Sequence, residues 1–211
     1  MTRPALAALA LAFGAVLLAP ALSRAAPPSG RNQDPDWPCQ QIKVPELSLA
    51  AIWSGPEVDV TKTTWQQDPA VADLARRIAE RREPIESAES AIHEFAQQAG
   101  EQKRTKLLAL LAGVFNVMDE ERGSVLAGLD RFGRRQRELA DEIRTDAASL
   151  RELQTKPDAD PNAVAQLTQK VTWATQVFDD RRQAARYACD VPTKIEQRLF
   201  SLARAIQQEL G

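Results

Sequence analysis

The apolar residues that follow position 68 recur at intervals of three and four, which is the spacing of one face of an α-helix. This pattern predicts three long helices. Helix 1 begins with the N-cap Asp68 followed by Pro69, and it ends at Gly100. Because proline lacks an amide donor and clashes with the preceding turn, Pro84 must kink helix 1 or restart it.

Helix 2 is predicted over residues 101–155 and helix 3 from residue 161 onward. A turn rich in Asp and Pro separates them, and Asp160 with Pro161 repeats the capping pattern that begins helix 1. Helix 3 is expected to continue beyond a kink at Val191 and Pro192.

Helix 2 carries one apolar seam that persists for about six heptads. A second apolar stripe accompanies it only in the first part, through Leu107, Leu110, Val114 and Val117. Its continuation is small or charged, with Ser124, Gly128, Arg131 and Arg135. The wider apolar face predicts that the first part of helix 2 packs against two helices, and the narrower face predicts one helix for the second part. The thirteen seam positions are Leu111, Phe115, Met118, Arg122, Val125, Leu129, Phe132, Gln136, Leu139, Ile143, Asp146, Leu150 and Leu153.

The resulting fold class is all-α, with long antiparallel helices that form a three-helix bundle and an irregular N-terminal arm. Residues 133–183 are expected to project from the bundle as a two-helix coiled-coil hairpin, roughly 35 to 40 Å long. A compact four-helix bundle, with helix 2 broken at Gly123 or Gly133, remains the alternative.

The N-terminal region divides into two predicted parts. Residues 1–25 have the charge, apolar run and small-residue cleavage site of a secretory signal peptide, which predicts export to the periplasm. Residues 26–67 form an irregular arm with one short helix that starts near Pro45, and residues 68–211 form the helical domain. The arm contains Trp37, Trp53 and Trp65, which either pack onto the bundle or form a partner-binding hot spot.

Cys39 and Cys189 are the only cysteines of the chain. In an oxidising compartment an isolated pair forms a disulfide more often than it stays reduced. Antiparallel folding also brings Cys189 near the start of helix 1, within reach of the arm. The sequence therefore predicts a Cys39–Cys189 disulfide.

Little in the chain points to catalysis or to a cofactor. His93 is the only histidine, so even with Glu89 on its face it supplies one arm of a metal site at most. The Asp158-x-Asp160-x-Asn162 run resembles a calcium loop but lacks the glycine and the bidentate glutamate. A single histidine, with both cysteines expected to be oxidised, leaves little from which an activated nucleophile and its base could be built. We expect no metal, no cofactor and no enzymatic activity.

The balance of charge argues against a nucleic-acid partner, since the net charge is −2 with both signs interspersed. One cluster of arginines stands out, because antiparallel folding brings two groups from helices 2 and 3 to the same level. Interhelical ion pairs with interleaved acids, or a site for an acidic partner or anion, would each explain it. The cluster comprises Arg131, Arg134, Arg135 and Arg137 on helix 2 and Arg181, Arg182 and Arg186 on helix 3, and the candidates for partner binding are Arg134, Arg135, Arg137, Arg181 and Arg182.

These features predict an exported interaction protein, an adaptor or chaperone-like factor, that binds a protein partner in the periplasm or cell envelope. The hairpin or the Trp-bearing arm would supply the binding surface, and self-association is a further possibility. The alternative function is a helical bundle that binds a small ligand or an anion.

Overall fold

The computed structural model describes residues 34–211, so the predicted signal peptide and the first residues of the arm lie outside the described residues. The described chain is all-helical and contains no β-strand, as the periodicity predicts. Short 3₁₀ turns at Trp65–Gln67 and Gly100–Gln102 precede α2 and α4. The helices are α1 (Leu49–Ile52), α2 (Pro69–Ala79), α3 (Ile85–Gln98), α4 (Lys103–Gln154), α5 (Pro161–Cys189) and α6 (Val191–Leu210).

Predicted helix 1 is divided into α2 and α3, because Pro84 restarts the helix after a break. The side chain of Asp68 caps α2 by accepting hydrogen bonds from the amides of Ala70 (3.0 Å) and Val71 (3.3 Å). At the break, the Arg198 guanidinium donates to the carbonyl of Ile78 at 2.7 and 3.0 Å. It therefore satisfies backbone acceptors that the end of a helix leaves unpaired.

Helix α4 runs for 52 residues, about 78 Å, without a break. It passes through Gly123 and Gly133, so the interruption that a compact four-helix bundle requires is absent. Every one of the thirteen seam residues of α4 is buried or half-buried. Of the second stripe, Leu107, Leu110 and Val114 are fully buried, whereas Ser124, Arg131 and Arg135 are exposed.

The main hydrophobic core lies between α2, α3, α6 and the first half of α4. A smaller cluster around the disulfide joins Trp37 of the arm to Leu126 and Leu129 of α4. We call residues 34–136 and 185–211 the core region. All buried residues of the described chain belong to it. Within that chain, no helix is both long and apolar enough to cross a membrane.

The remaining part, residues 137–184, comprises the end of α4, the turn and most of α5, and we call it the α4–α5 segment. Here α5 packs against α4, yet no residue of the segment is buried. The negative charge of the seam residue Asp146 on α4 is paired with Lys170 on α5, whose Nζ lies 2.8 Å from the Asp146 carboxylate. This contact raises the pKa of Lys170.

The predicted disulfide is confirmed: Cys39 is bonded to Cys189 at the C-terminal end of α5. The short helix of the arm, in contrast, starts later than predicted, since α1 begins at Leu49 and Pro45 lies before it in irregular chain. The carbonyl of Pro45 accepts a hydrogen bond from Arg122, which holds this part of the arm outside the helix.

Candidate functional site

The arm is attached to α4 by close backbone packing at Gly133. A Cβ atom at this position would overlap the carbonyl oxygen of Asp36, so only glycine permits the observed approach. The Asp36 carboxylate also pairs with Arg137 and lies 3.9 Å from Arg134. Two of the predicted cluster arginines are therefore engaged in holding the arm.

Lys43 forms a second attachment of the arm, because its ammonium group lies 2.8 Å from both Asp34 and Asp130. The hydrogen bond from Lys43 lowers the pKa of Asp34, with a further contribution from the amide of Asp36. Asp130 and Asp34 together raise the pKa of Lys43. The ammonium also lies 5.5 Å from the centroid of the Trp37 ring.

Arg122, one of two charged residues within the apolar seam, is buried to 2% exposure. Its Nε lies 2.6 Å from Glu196 on α6, and its Nη2 donates to the carbonyl of Val44 at 2.6 Å. One guanidinium thus links α4, α6 and the arm. Its pairing matters because a buried charge without partners would be strongly destabilising.

The three arm tryptophans lie within the fold, with exposures of 8% for Trp37, 8% for Trp53 and 6% for Trp65. Trp37 Nε1 donates to the carbonyl of Gln41 at 2.8 Å, and Trp53 Nε1 donates to that of Pro56 at 2.7 Å. The ring of Trp65 lies close to Gly113 and packs in the main core. Of the two arrangements considered for the arm tryptophans, packing onto the bundle is therefore the one observed. These rings offer no exposed face to a partner.

The structure brings together only part of the arginine cluster. Arg182 lies 3.1 Å from Asp179, one turn earlier in α5, while Arg135 and Arg181 are exposed. Arg137 and Arg182 both line a recess of about 260 Å³ between the arm, α4 and α5, whose walls include Trp37 and Phe178. Each of these two guanidinium groups already has an anionic partner, Asp36 for Arg137 and Asp179 for Arg182.

Gln136 lies at the point where the core region meets the α4–α5 segment. Its Nε2 donates to the carbonyl of Phe178 at 3.1 Å, which ties α4 to α5. Its Oε1 is buried and finds no hydrogen-bond donor among the described residues. An unsatisfied buried acceptor weakens the packing locally.

The outward side of α5 differs in composition from that of α4. Exposed residues of α4 between Arg137 and Glu152 are mostly charged, whereas Lys170 is the only charged residue among the exposed residues of α5 from Pro161 to Phe178. A row of exposed side chains follows α5 at steps of three and four, and we call it the α5 outer face. It comprises Asn162, Gln166, Gln169, Trp173, Gln176, Asp180, Gln183 and Tyr187.

Two large aromatic side chains of this face are strongly exposed, Trp173 at 66% and Tyr187 at 77%. The sequence interpretation assigned no role to either. The sequence does contain a sign of the exposure of Trp173, however. The apolar face of α5 includes Val171 and Ala174 but not Trp173, which therefore belongs to the opposite side of the helix. Exposed tryptophan is unusual and is enriched at the centres of protein interfaces.

The residues considered for metal binding have other contacts. His93 Nδ1 lies 2.7 Å from Glu209 and its Nε2 lies 3.0 Å from Gln97. Asp160 accepts a hydrogen bond from the amide of Asn162 at 2.9 Å and thus caps α5. Within residues 34–211, no group of three or more His, Cys, Asp or Glu side chains is arranged to hold a metal ion.

Comparison with known proteins gives no relative from which a function could be inferred. No protein-family model, no curated protein and no solved structure matches this chain.

Proposed function

We propose that this chain is an exported interaction protein, an adaptor or chaperone-like factor of the periplasm, that binds a protein partner through the α4–α5 segment. The segment would project from the core region as a two-helix coiled-coil hairpin. The observation that carries the proposal is the 66% exposure of Trp173 in a segment without buried residues. An indole at an exposed position gains a large apolar contact area when a partner covers it.

Two further properties support a binding role for this segment. Packing between only two helices gives each side chain few apolar contacts, so local opening should require less free energy than unfolding of the core region. In addition, the disulfide between Cys39 and Cys189 is compatible with an oxidising compartment such as the periplasm. Export itself is tested by sequencing the N-terminus of the protein recovered from the periplasm, which we expect to begin at Ala26.

The binding role is tested by photocrosslinking in cells that produce the full chain. A benzophenone amino acid at Lys156, in the turn between α4 and α5, should form adducts with a protein partner. The same group at Arg104, an exposed residue of the core region, is the matched control and should form few. Equal labelling from both positions, or no adduct from Lys156, would contradict the proposal.

A deletion provides the complementary test. Removing residues 140–176 and joining the ends by a short turn should leave a core region that melts cooperatively, because all buried residues lie outside the deleted part. Capture of the partner should be lost. If the shortened protein is folded and still captures the partner, the binding surface lies in the core region.

Binding of a small ligand or an anion is the second candidate, and the recess beside Trp37 is the observation that favours it. We rank it lower because Arg137 is paired with Asp36 and Arg182 with Asp179. Calorimetric titration with inorganic phosphate tests it. Saturable heat that disappears in an Arg137→Gln, Arg182→Gln variant would favour this function over the first.

A further inference from the structure

The α5 outer face is complementary to a copy of itself. Four of its eight residues are glutamines, and a carboxamide both donates and accepts hydrogen bonds, so each can pair with its own kind. Asp180 is its only charged residue. The face therefore lacks the charge that would select a basic or acidic partner, and it presents little like charge to a second copy.

Trp173 occupies a special position along this face. It lies midway between Pro161, the first residue of α5, and Ala185, the first residue of α5 that is buried in the core region. The part of α5 that contains no buried residue thus extends equally far, about 18 Å, on either side of the indole. A two-fold axis at Trp173 would pair this whole part of one copy with the same part of the other, and it would place the two core regions at opposite ends of the pair.

On the premise that the α4–α5 segment is the binding element, we propose that two copies of this chain pair through their α5 outer faces. The two α5 helices run antiparallel about a two-fold axis at Trp173. The two indoles contact each other at the centre, where association buries both. Such a contact is isologous, because the same surface of each copy takes part.

The antiparallel direction follows from charge and from the positions of the core regions. A parallel pairing would place Asp180 against Asp180 and would bring both core regions to the same end. In the antiparallel pairing, Asp180 faces Gln166 of the second copy, and the two Asp180 residues are about 21 Å apart along the helix axis. Like charges are therefore separated by more than a Debye length at physiological ionic strength.

The same register accounts for Tyr187, the second exposed aromatic residue of the face. Counted from the axis at Trp173, Tyr187 is level with Ala159 of the second copy, in the turn that joins α4 to α5. The phenol ring would cover that turn at each end of the pair. Both exposed aromatic residues of α5 thereby gain a contact from one arrangement.

Sedimentation equilibrium of the purified mature chain, with its disulfide intact, tests the pairing. We expect a monomer–dimer equilibrium whose dissociation constant rises at least about tenfold in Trp173→Gln. Arg144→Gln, an exposed change on α4, is the matched control and should leave the constant unchanged. Both variants should keep the circular dichroism and melting of the parent protein, since neither side chain is buried. A chain that stays monomeric up to its solubility limit would overturn the inference.

Orientation is tested by photocrosslinking a mixture of ¹⁴N- and ¹⁵N-labelled chains that carry a benzophenone amino acid at Gln166. Mass spectrometry should locate the intermolecular crosslink in the peptide that contains Asp180. Crosslinks to the Gln166 region of the second copy, or to the core region, would overturn the antiparallel pairing.

The two proposals can fail separately. A wild-type chain that is monomeric but forms partner adducts from Lys156 contradicts self-pairing alone. A chain that dimerises as expected but forms no adduct with another protein supports self-pairing and contradicts the adaptor role.

Discussion

The core region and the α4–α5 segment are built on the same helix, yet they differ in how many neighbours they have. In its first half, α4 presents two apolar stripes and is covered by α2, α3 and α6. In the second half only the seam remains, and α5 is the neighbour. The width of the apolar face, more than the length of the helix, therefore decides how many helices pack around it.

The contrast extends to the polar residues within the seam. In the core region, Arg122 is nearly inaccessible and is paired with Glu196 and the backbone of the arm. In the α4–α5 segment, Asp146 is half-buried and bonded to Lys170, which is itself exposed. A polar residue in a two-helix seam remains close to water, so its burial costs less free energy than that of Arg122.

The disulfide should produce the largest difference between the two parts. It closes a loop with a sequence separation of 150, for which chain entropy gives about 5 kcal/mol of stabilisation. Replacing both cysteines with alanine should lower the free energy of unfolding of the core region by up to that amount. Hydrogen exchange of residues 137–184 should change much less, and an equal change in both parts would show that they unfold as one unit.

The next largest difference between the two parts is expected when an apolar side chain of the seam is truncated. Leu111→Ala, at a fully buried seam position, should destabilise the protein by about 2 to 5 kcal/mol. Leu150→Ala, at a half-buried position of the same seam, should lower the free energy of unfolding by about 1 kcal/mol or less. The Leu150 side chain is partly in contact with water, so its truncation removes little buried apolar area. Urea denaturation measures both, and similar losses would mean that α5 covers the distal seam more completely than the structure shows.

Two glycines of α4 provide a matched pair at the boundary. Gly133→Ala should destabilise by about 1 to 3 kcal/mol, because the new methyl group displaces the arm at Asp36. Gly123→Ala meets no atom and should stabilise the helix by about 0.5 to 1 kcal/mol. Thermal melting checks both signs. A stabilising Gly133→Ala would show that the arm does not approach α4 so closely.

The smallest expected difference concerns the helix N-caps. Asp68→Ala removes the cap of α2 in the core region and should lower the free energy of unfolding by about 1 kcal/mol. Asp160→Ala removes the equivalent cap of α5, but fraying at the turn can occur without unfolding the core region. Global stability measured in urea should therefore fall by less than about 0.5 kcal/mol.

The effect of Asp68→Ala should also depend on pH. A hydrogen bond from Lys106 is the main cause that lowers the pKa of Asp68 below its ordinary value of 3.8. The ionised form therefore stabilises the folded state fully above pH 3.8, and this contribution is lost as the pH falls through the lowered pKa. The stabilities of the parent and Asp68→Ala should converge in strong acid, and a constant difference from pH 7 to pH 2 would contradict this origin.

The main features of the fold were accessible from the sequence because they depend on local periodicity and on capping residues. Asp68, Pro69, Pro84 and Gly100 act on their own helices, and Gly100, where helix 1 is predicted to end, has a left-handed backbone with φ of 55°. The start of α1 was misjudged, because the conformation at Pro45 depends on Arg122, 77 residues away in the chain.

The candidate surface was harder to predict for a similar reason. Tryptophans in an irregular, proline-containing arm have no periodicity that tells whether they are buried. Trp173, in contrast, lies in a helix whose apolar positions recur regularly. Because it is offset from those positions, it is expected on the outer side of α5. The arginine cluster is visible in the sequence, but the pairing of Arg137 with Asp36 depends on the path of the arm.

Spacing and the presence of only two cysteines are properties of the chain, so they suffice to predict the all-helical class, the unequal width of the apolar face of α4 and the pairing of Cys39 with Cys189. Only the packed structure shows where the arm lies, why α4 has glycine at position 133, and which groups neutralise Arg122. These contacts join residues distant in sequence, and their geometry exists only after the helices have packed.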